Sequence, residues 1–495
     1  MPPVSQAVLL SWSAPPAASF ALAVMALVYL RGWVRLQRAR VPFVPRWRAV
    51  CFLLGVLTLW VALASPCDTF SGFVLTAHML QHMLLMSLAP PLILLGAPLV
   101  PLVSGLPVFA AREFAGPFLN WRMAKRVGSA LIHPAVSLLL LGATLFAWHT
   151  PRLYELALAS GSWHEVEHAC FFLAALIFWW PVIQPWPSRA RGPRWGMVPY
   201  LLVADVENTV LSAILVFSDR LLYPSYAAVP RLFGFSALHD QIAAGALMWV
   251  MGSMAFTVPA MVIAVECLQG NRWKKRPRLV PRRGAPSLSL VRRFTQARWN
   301  GRAVEAISFL LLFAVTGLCL AHLAAGPSDD DDQALRFRGQ SGTFAVSVFA
   351  TAGNLQAGAS DFNVLVQDAN SQEVLRDATI EISAQEVAGP QRTGAVRADS
   401  EDSENKLLQS ASLNLPAEGD WKVNIAIRHD GQSADFSLPV RVVHAEGGSP
   451  IPWSYLVWLG SSILLLTAYR WRHRASTGAS AARPMASEGS TASLP

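Results

Sequence analysis

Charge is scarce in this chain. Asp, Glu, Lys and Arg make up 14% of its 495 residues, while 53% are hydrophobic; a soluble domain carries about 25% charged residues. A surface so poor in charge excludes a purely soluble carrier or enzyme, and the chain reads as a membrane protein. Cysteine is scarce too. Cys51, Cys67, Cys170, Cys267 and Cys319 stand singly, without a CxxC or any paired spacing, which leaves no basis for a structural disulfide. No nucleophile–base pair, phosphate loop, nucleotide motif or convincing internal repeat is present, so the chain is expected not to be an enzyme.

Long apolar runs take the place of charge. Roughly 20 apolar residues cross a hydrocarbon core, and such runs lie near 17–36, 48–64, 73–103, 130–148, 166–183, 197–217, 240–266, 304–325 and 453–469. Nine spans are predicted. The first is followed, not preceded, by Arg31, Arg35, Arg38 and Arg40, the reverse of a secretory signal. With the N-terminus outside and the C-terminus inside, the clusters Arg31 to Arg48, Arg112 to Arg126, Arg189 to Arg194, Arg272 to Arg302 and Arg470 to Arg483 all fall in the cytoplasm; the short outer loops hold only Arg152, Arg220 and Arg231. This is the positive-inside pattern of a multi-pass protein of the bacterial cytoplasmic membrane. It accounts for the +9 net charge and the pI near 9.7 through the lipid membrane, without nucleic acid as a partner.

Composition changes sharply after the eighth run. From Asp329 to Asp332 onward the chain is acidic and alternates in "FAVSVFA" (344–350), "FNVLVQDA" (362–369), "ATIEIS" (378–383), "WKVNIAIRH" (421–429) and "FSLPVRVV" (436–443), the period of half-buried strands. The expected architecture is an all-α polytopic membrane bundle of about nine transmembrane helices with an inserted extracytoplasmic Ig-like β-sandwich. Its parts are a seven-helix domain (1–268), a basic cytoplasmic loop (269–303), an eighth helix (304–326), the sandwich (327–450), a ninth helix (451–470) and a disordered cytoplasmic tail (471–495).

Six of the eleven histidines converge, on this topology, at one side of the membrane: His78, His82, His149, His164, His168 and His239, the last beside Asp240. "HMLQH" and "HEVEH" each place two imidazoles at i and i+4, on one helical face about 6 Å apart. Two such helices facing each other offer four imidazoles. Imidazole suits Cu, Zn, Fe and Ni, and the thioethers of Met79, Met83 and Met86 add a preference for Cu(I), so copper is the predicted metal. Glu165 and Glu167 can orient the rings from behind. Buried hydrogen-bonded histidines and a gap-filling methionine stripe are the plainer reading of the same residues; ionisable groups within spans nonetheless mark a functional cavity. Asp205, Glu207 and Asn208 interrupt the sixth span, as a relay or as structural hydrogen bonds. Cys319 and His322 offer a second soft pair, and Pro90–Pro91 should break the third helix just below the histidines.

Three motifs, "HMLQHMLLMSLAPPLILLGAP" (78–98), "WHTPRLYELAL" (148–158) with "HEVEHACFFLAALIFWWPV" (164–182), and "LHDQIAAGALMW" (238–249), resemble the caa3-type cytochrome c oxidase assembly factor family over about residues 15–268. The resemblance implies a role in maturing a haem–copper oxidase, with oxidase subunits and periplasmic copper chaperones as partners. His78, His82, His149, His164, His168, His239 and Asp240 occupy the motif positions. Residues 337–443 resemble FixH/YtkA-like β-sandwich domains but hold no Cys or Met and only His429, with His444 just beyond, which points to a docking module and not a carrier. The competing readings are a copper permease, for which Met86, Met248, Met251 and Met254 would mark a path, and a b-type haem electron carrier with paired axial histidines.

Overall fold

The computed structural model describes residues 4–13, 15–41, 44–107, 122–188, 193–269, 333–351, 355–401 and 403–443. The helices are α1 (Val4–Leu10), α2 (Pro16–Arg38), α3 (Arg46–Ala64), α4 (Pro66–Thr69), α5 (Leu75–Met83), α6 (Ala89–Leu95), α7 (Leu99–Gly105), α8 (Arg122–Leu131), α9 (Pro134–Trp148), α10 (Pro151–Ala159), α11 (Gly161–Ile183), α12 (Met197–Phe217), α13 (Ser225–Ala228) and α14 (Ala237–Leu268). Among the described residues six helical stretches are long and apolar enough to cross a membrane: 16–38, 46–69, 75–95, 161–183, 194–217 and 237–268. The predicted span at 130–148 is an apolar helix of only 15 residues, begun late because Pro134 sets the first turn. The expected spans 304–325 and 453–469, and the Cys319–His322 pair, lie outside the described residues.

The run at 73–103 is not one straight helix. α5 passes into a π-helical turn at Leu84–Leu88, and α6 restarts at Ala89 with its proline pair in the first turn. Pro90 has no N–H to donate to the carbonyl of Met86, and the indole Nε1 of Trp179 on α11 donates to that oxygen instead, at 3.1 Å. The proline pair therefore ties the histidine helix to its facing helix. Close approach does similar work elsewhere. A Cβ on Gly32 of α2 would lie 1.7 Å from the carbonyl oxygen of Pro101, and one on Gly105 of α7 would lie 1.8 Å from that of Val28, so α2 and α7 cross backbone to backbone, as small residues permit inside a membrane.

After the bundle come nine strands: β1 (Gln333–Ser341), β2 (Phe344–Thr351), β3 (Leu355–Gln356), β4 (Gly358–Asp368), β5 (Thr379–Glu386), β6 (Val396–Arg397), β7 (Gln409–Leu415), β8 (Gly419–His429) and β9 (Gln432–Val443). They form two sheets, β1-β2-β4-β7 and β3-β9-β8-β5-β6, antiparallel except where β3 meets β9. Asp430 and Gly431, with φ of 48° and 75°, make the two-residue turn between β8 and β9 that right-twisted hairpins favour. Val346, Phe362 and Leu413 of the first sheet and Ile380, Trp421 and Ile425 of the second belong to one apolar core.

The other face of the first sheet is covered by the bundle. Phe349, Leu365, Leu407 and Leu408 pack with Ala7, Phe70 and Leu232, and Ala77 lies at the edge of the contact. Phe73 meets Phe349 edge-on at 5.3 Å. Gln367 donates to the carbonyl of Arg231 at 2.8 Å, and the amide of Lys406 donates to Ser11 Oγ at 3.0 Å. The sheets thus sit on the end of the bundle where α5 begins, one turn from His78.

Candidate metal centre

α5 and α11 bring their histidine pairs face to face. The ring centroids of His78 and His82 are 4.3 Å apart and those of His164 and His168 are 4.1 Å apart; across the helices His78 lies 5.1 Å from His164, and His82 lies 5.5 Å from His168. On α11 the positions i, i+3 and i+4 share a face, which puts Glu167 beside His164 and His168 and turns Glu165 outward, where it is exposed. The Glu167 carboxylate comes within 3.6 Å of His78 Nε2 and 3.8 Å of His82 Nε2, with all three side chains at 0 or 1% exposure.

The chemistry of this chamber lies in what its polar atoms lack. Both ring nitrogens of His78 and of His82, Nε2 of His164 and of His168, and both oxygens of Glu167 are buried without a hydrogen-bond partner. Buried polar groups are ordinarily paired, and an unpaired buried carboxylate costs several kcal/mol. Four imidazoles, each offering one lone pair in its neutral form, and a carboxylate turned toward one another are a ligand set suited to a cation of the Cu or Zn type. The oxygens and ring nitrogens of His78, His82 and Glu167 include one from each residue lying within 4.8 Å of the others; Asp68, His164 and His168 form a second such group.

The surroundings hold this geometry. Asp240 reaches from α14 to the start of α5, where its carboxylate accepts from the amides of Leu75 at 2.7 Å and Thr76 at 3.1 Å and from Thr76 Oγ1 at 2.6 Å. It caps the orphan N–H groups of the histidine helix and puts a negative charge at its positive end. Between the two histidines of α5, Gln81 donates through Nε2 to Ala62 O at 2.9 Å and to Asp68 Oδ1 at 2.6 Å. His149 Nδ1 sits 2.8 Å from the carbonyl of Leu145. A carbonyl only accepts, so Nδ1 carries the proton and the unpartnered Nε2 keeps its lone pair. Tyr154 stacks on Tyr223 at 3.8 Å and shares a hydrogen bond with Tyr226, which donates to Ser71 O at 2.7 Å. Burial, foremost, pushes the Tyr154 and Tyr226 hydroxyls well above the usual phenol range, so both are neutral donors.

Residues 27–270 match the family described as cytochrome c oxidase caa3 assembly factor. The membrane bundle is thus similar to this family along nearly its whole length. An uncharacterized protein of Mycobacterium leprae is 26% identical over 249 residues, 50% of this chain and 37% of that protein. Uncharacterized proteins of Mycobacterium bovis and Mycobacterium tuberculosis are each 24% identical over 285 residues, 57% of this chain and 42% of theirs. The chain therefore spans about two fifths of the length of the curated relatives it matches. No solved structure matches it significantly.

Within the bundle the predicted residues separate into three sets. His78, His82, His164 and His168 converge with Glu167, and His149 packs against Phe171, whose ring is 4.5 Å from that of His82 and 6.0 Å from that of His149. His239 is exposed and belongs to neither ligand group, and the Asp240 carboxylate is engaged in capping α5. Met79, Met83 and Met86 are buried in the bundle core at 0, 2 and 5% exposure, on the helix face next to the histidines. Sequence reasoning missed Asp68. It stands in "SPCDTF", where no periodicity ties it to residues about 100 positions later. Glu167 was assigned a supporting place; the helical period, applied to His164, would have moved it into the chamber.

Proposed function

We propose that this chain assists the assembly of a cytochrome c oxidase by binding copper between α5 and α11 and releasing it to an oxidase subunit, without catalysing a reaction. The observation that carries the reading is the set of buried, partnerless imidazole and carboxylate atoms of His78, His82, His164, His168 and Glu167. Neutral imidazoles bind metal without first losing a proton, and the lone carboxylate supplies countercharge. The family of the bundle supports the oxidase as partner and the membrane as setting. The arginine distribution supports a bacterial inner-membrane orientation with the N-terminus and histidine end outside, where a periplasmic chaperone can deliver copper, and the C-terminus inside. The two sheets then form an extracytoplasmic β-sandwich.

Neither alternative gains support. His78 is hemmed in by His82, Tyr154 and His164 with ring centroids at 4.3, 5.1 and 5.1 Å, which leaves no slot for a porphyrin. A permease needs ligands at successive depths; Met86 and Met248 are buried in the core and Met251 packs against it, but Met254 is 60% exposed on the bundle's outer surface, so the row of thioethers stops short.

The test is the copper content of the purified protein beside His82→Ala. The variant should reach normal membrane levels, because packing and not the site holds the bundle. Its copper affinity should fall by more than the roughly 10- to 100-fold that loss of a ligand's supporting partner costs. The partner oxidase should lose activity at limiting copper and partly recover in excess copper through mass action. Full oxidase activity at limiting copper in cells with normal levels of the His78→Ala, His82→Ala protein would overturn the proposal.

A further inference from the structure

The chamber holds two ligand groups, not one, and each has its own carboxylate. The inner group, His78, His82 and Glu167, is wholly buried; the second group pairs buried His168 with half-buried His164 and Asp68. Each histidine of α5 faces one of α11, and the groups adjoin through the 5.1 Å and 5.5 Å ring contacts across the helices. Gln81 fixes Asp68 toward this space from the histidine helix itself.

Charge decides how many ions such a space holds. Neutral imidazoles contribute none, and the nearby tyrosines keep their protons. Glu167 and Asp68 are the carboxylates of the two ligand groups, and Asp68 keeps its hydrogen bonds from Gln81 and Ser13; these two side chains supply the negative charge that lies against the ions. An uncompensated charge inside a protein costs several kcal/mol. Two divalent ions would leave two such charges, whereas two monovalent ions or one divalent ion leave none. Low coordination by a pair of imidazoles also suits Cu(I), which nitrogen and sulfur ligands favour.

We propose that Asp68, His164 and His168 form a second ion station beside His78, His82 and Glu167, and that the two carboxylates set the capacity at two Cu(I) ions or one divalent ion. This rests on the copper reading above. The more exposed Asp68 station loads first from solvent and passes its ion to the buried one.

The experiment is anaerobic titration of the full-length protein in detergent with Cu(I) and, separately, with Zn(II), against a competing chelator. The wild type should bind two equivalents of Cu(I) and one of Zn(II), a ratio that needs no variant. Asp68→Asn, whose amide oxygen still accepts from Gln81, should bind one Cu(I) and hold Zn(II) roughly 10- to 100-fold more weakly. Glu167→Gln should do the same, and His164→Gln should also lose one Cu(I). A single Cu(I) in the wild type, two equivalents of both ions, or two Cu(I) retained in a monodisperse Asp68→Asn protein would overturn the two-station inference and leave the copper reading standing. Binding of neither ion by the wild type would overturn both.

Discussion

β8 and β4 are both 11-residue strands of the same two-sheet region, and they are buried in opposite styles. Along β8, Trp421, Val423, Ile425 and Ile427 are buried while Lys422, Asn424 and Ala426 between them are exposed or half-exposed. Along β4, every residue from Phe362 to Val366 is buried. Alternation records a sheet with one dry face, so its loss on β4 records two: Phe362, Val364 and Val366 face the second sheet, and Leu365 faces the bundle. One strand thus serves stability with one set of side chains and docking with the other.

The comparison breaks most severely at Trp421, fully buried with its Nε1 donating to Ala417 O at 3.0 Å. Trp421→Ala should destabilise the two sheets by about 3–5 kcal/mol, seen as protease sensitivity across 333–443 with the bundle still inserted. Leu365→Asp should act differently. A carboxylate at the docked face costs several kcal/mol if it stays buried, so the contact opens. The sheets should keep their folded protease resistance while a cross-link between cysteines introduced at Phe73 and Phe349 is lost; an unfolded sheet region would show that Leu365 belongs to the inner core. In the bundle, Asp240→Ala removes the cap of α5 at about 1–2 kcal/mol, and copper affinity should fall although Asp240 touches no ligand; unchanged affinity would sever capping from the site.

The smallest effect belongs to the β4 turn. Asp368 accepts from the Ser371 amide at 2.7 Å, from Ser371 Oγ at 3.0 Å and from the Asn370 amide at 3.0 Å, and these bonds, the Ser371 amide first, hold its carboxyl below the usual range. A lowered folded pKa means stabilisation that is present above about pH 4 and lost as pH falls through the lower folded value. The group is fully exposed, so Asp368→Asn should shift thermal stability of the sheet region only slightly at pH 7 and not at all near pH 2, measured by the melting of the purified protein.

Several elements were legible because their signals are local. The i, i+4 spacing in "HMLQH" and "HEVEH" fixes two imidazoles per helix face whatever packs nearby, and alternation exposes β2, β5, β8 and β9. β1 ("QALRFRGQS") and β7 ("QSASLNL") escaped because their inward positions are few or small, so no period stands out from polar neighbours. Leu365 was legible in principle: an apolar residue between two inward valines breaks the alternation that a solvent-facing strand would keep.

Sequence by itself determined the apolar helices, the histidine pairs and the strand alternation, since each follows from residues within one or two turns of chain. Tertiary structure alone decided that Glu167 and not Glu165 enters the chamber with imidazoles from two helices, that Asp68 joins them, that the Asp240 carboxylate caps α5, and that the first sheet covers the histidine end. These choices depend on how helices rotate and which faces meet. Residues far apart in the chain settle them by packing, and no local pattern encodes the distance between them.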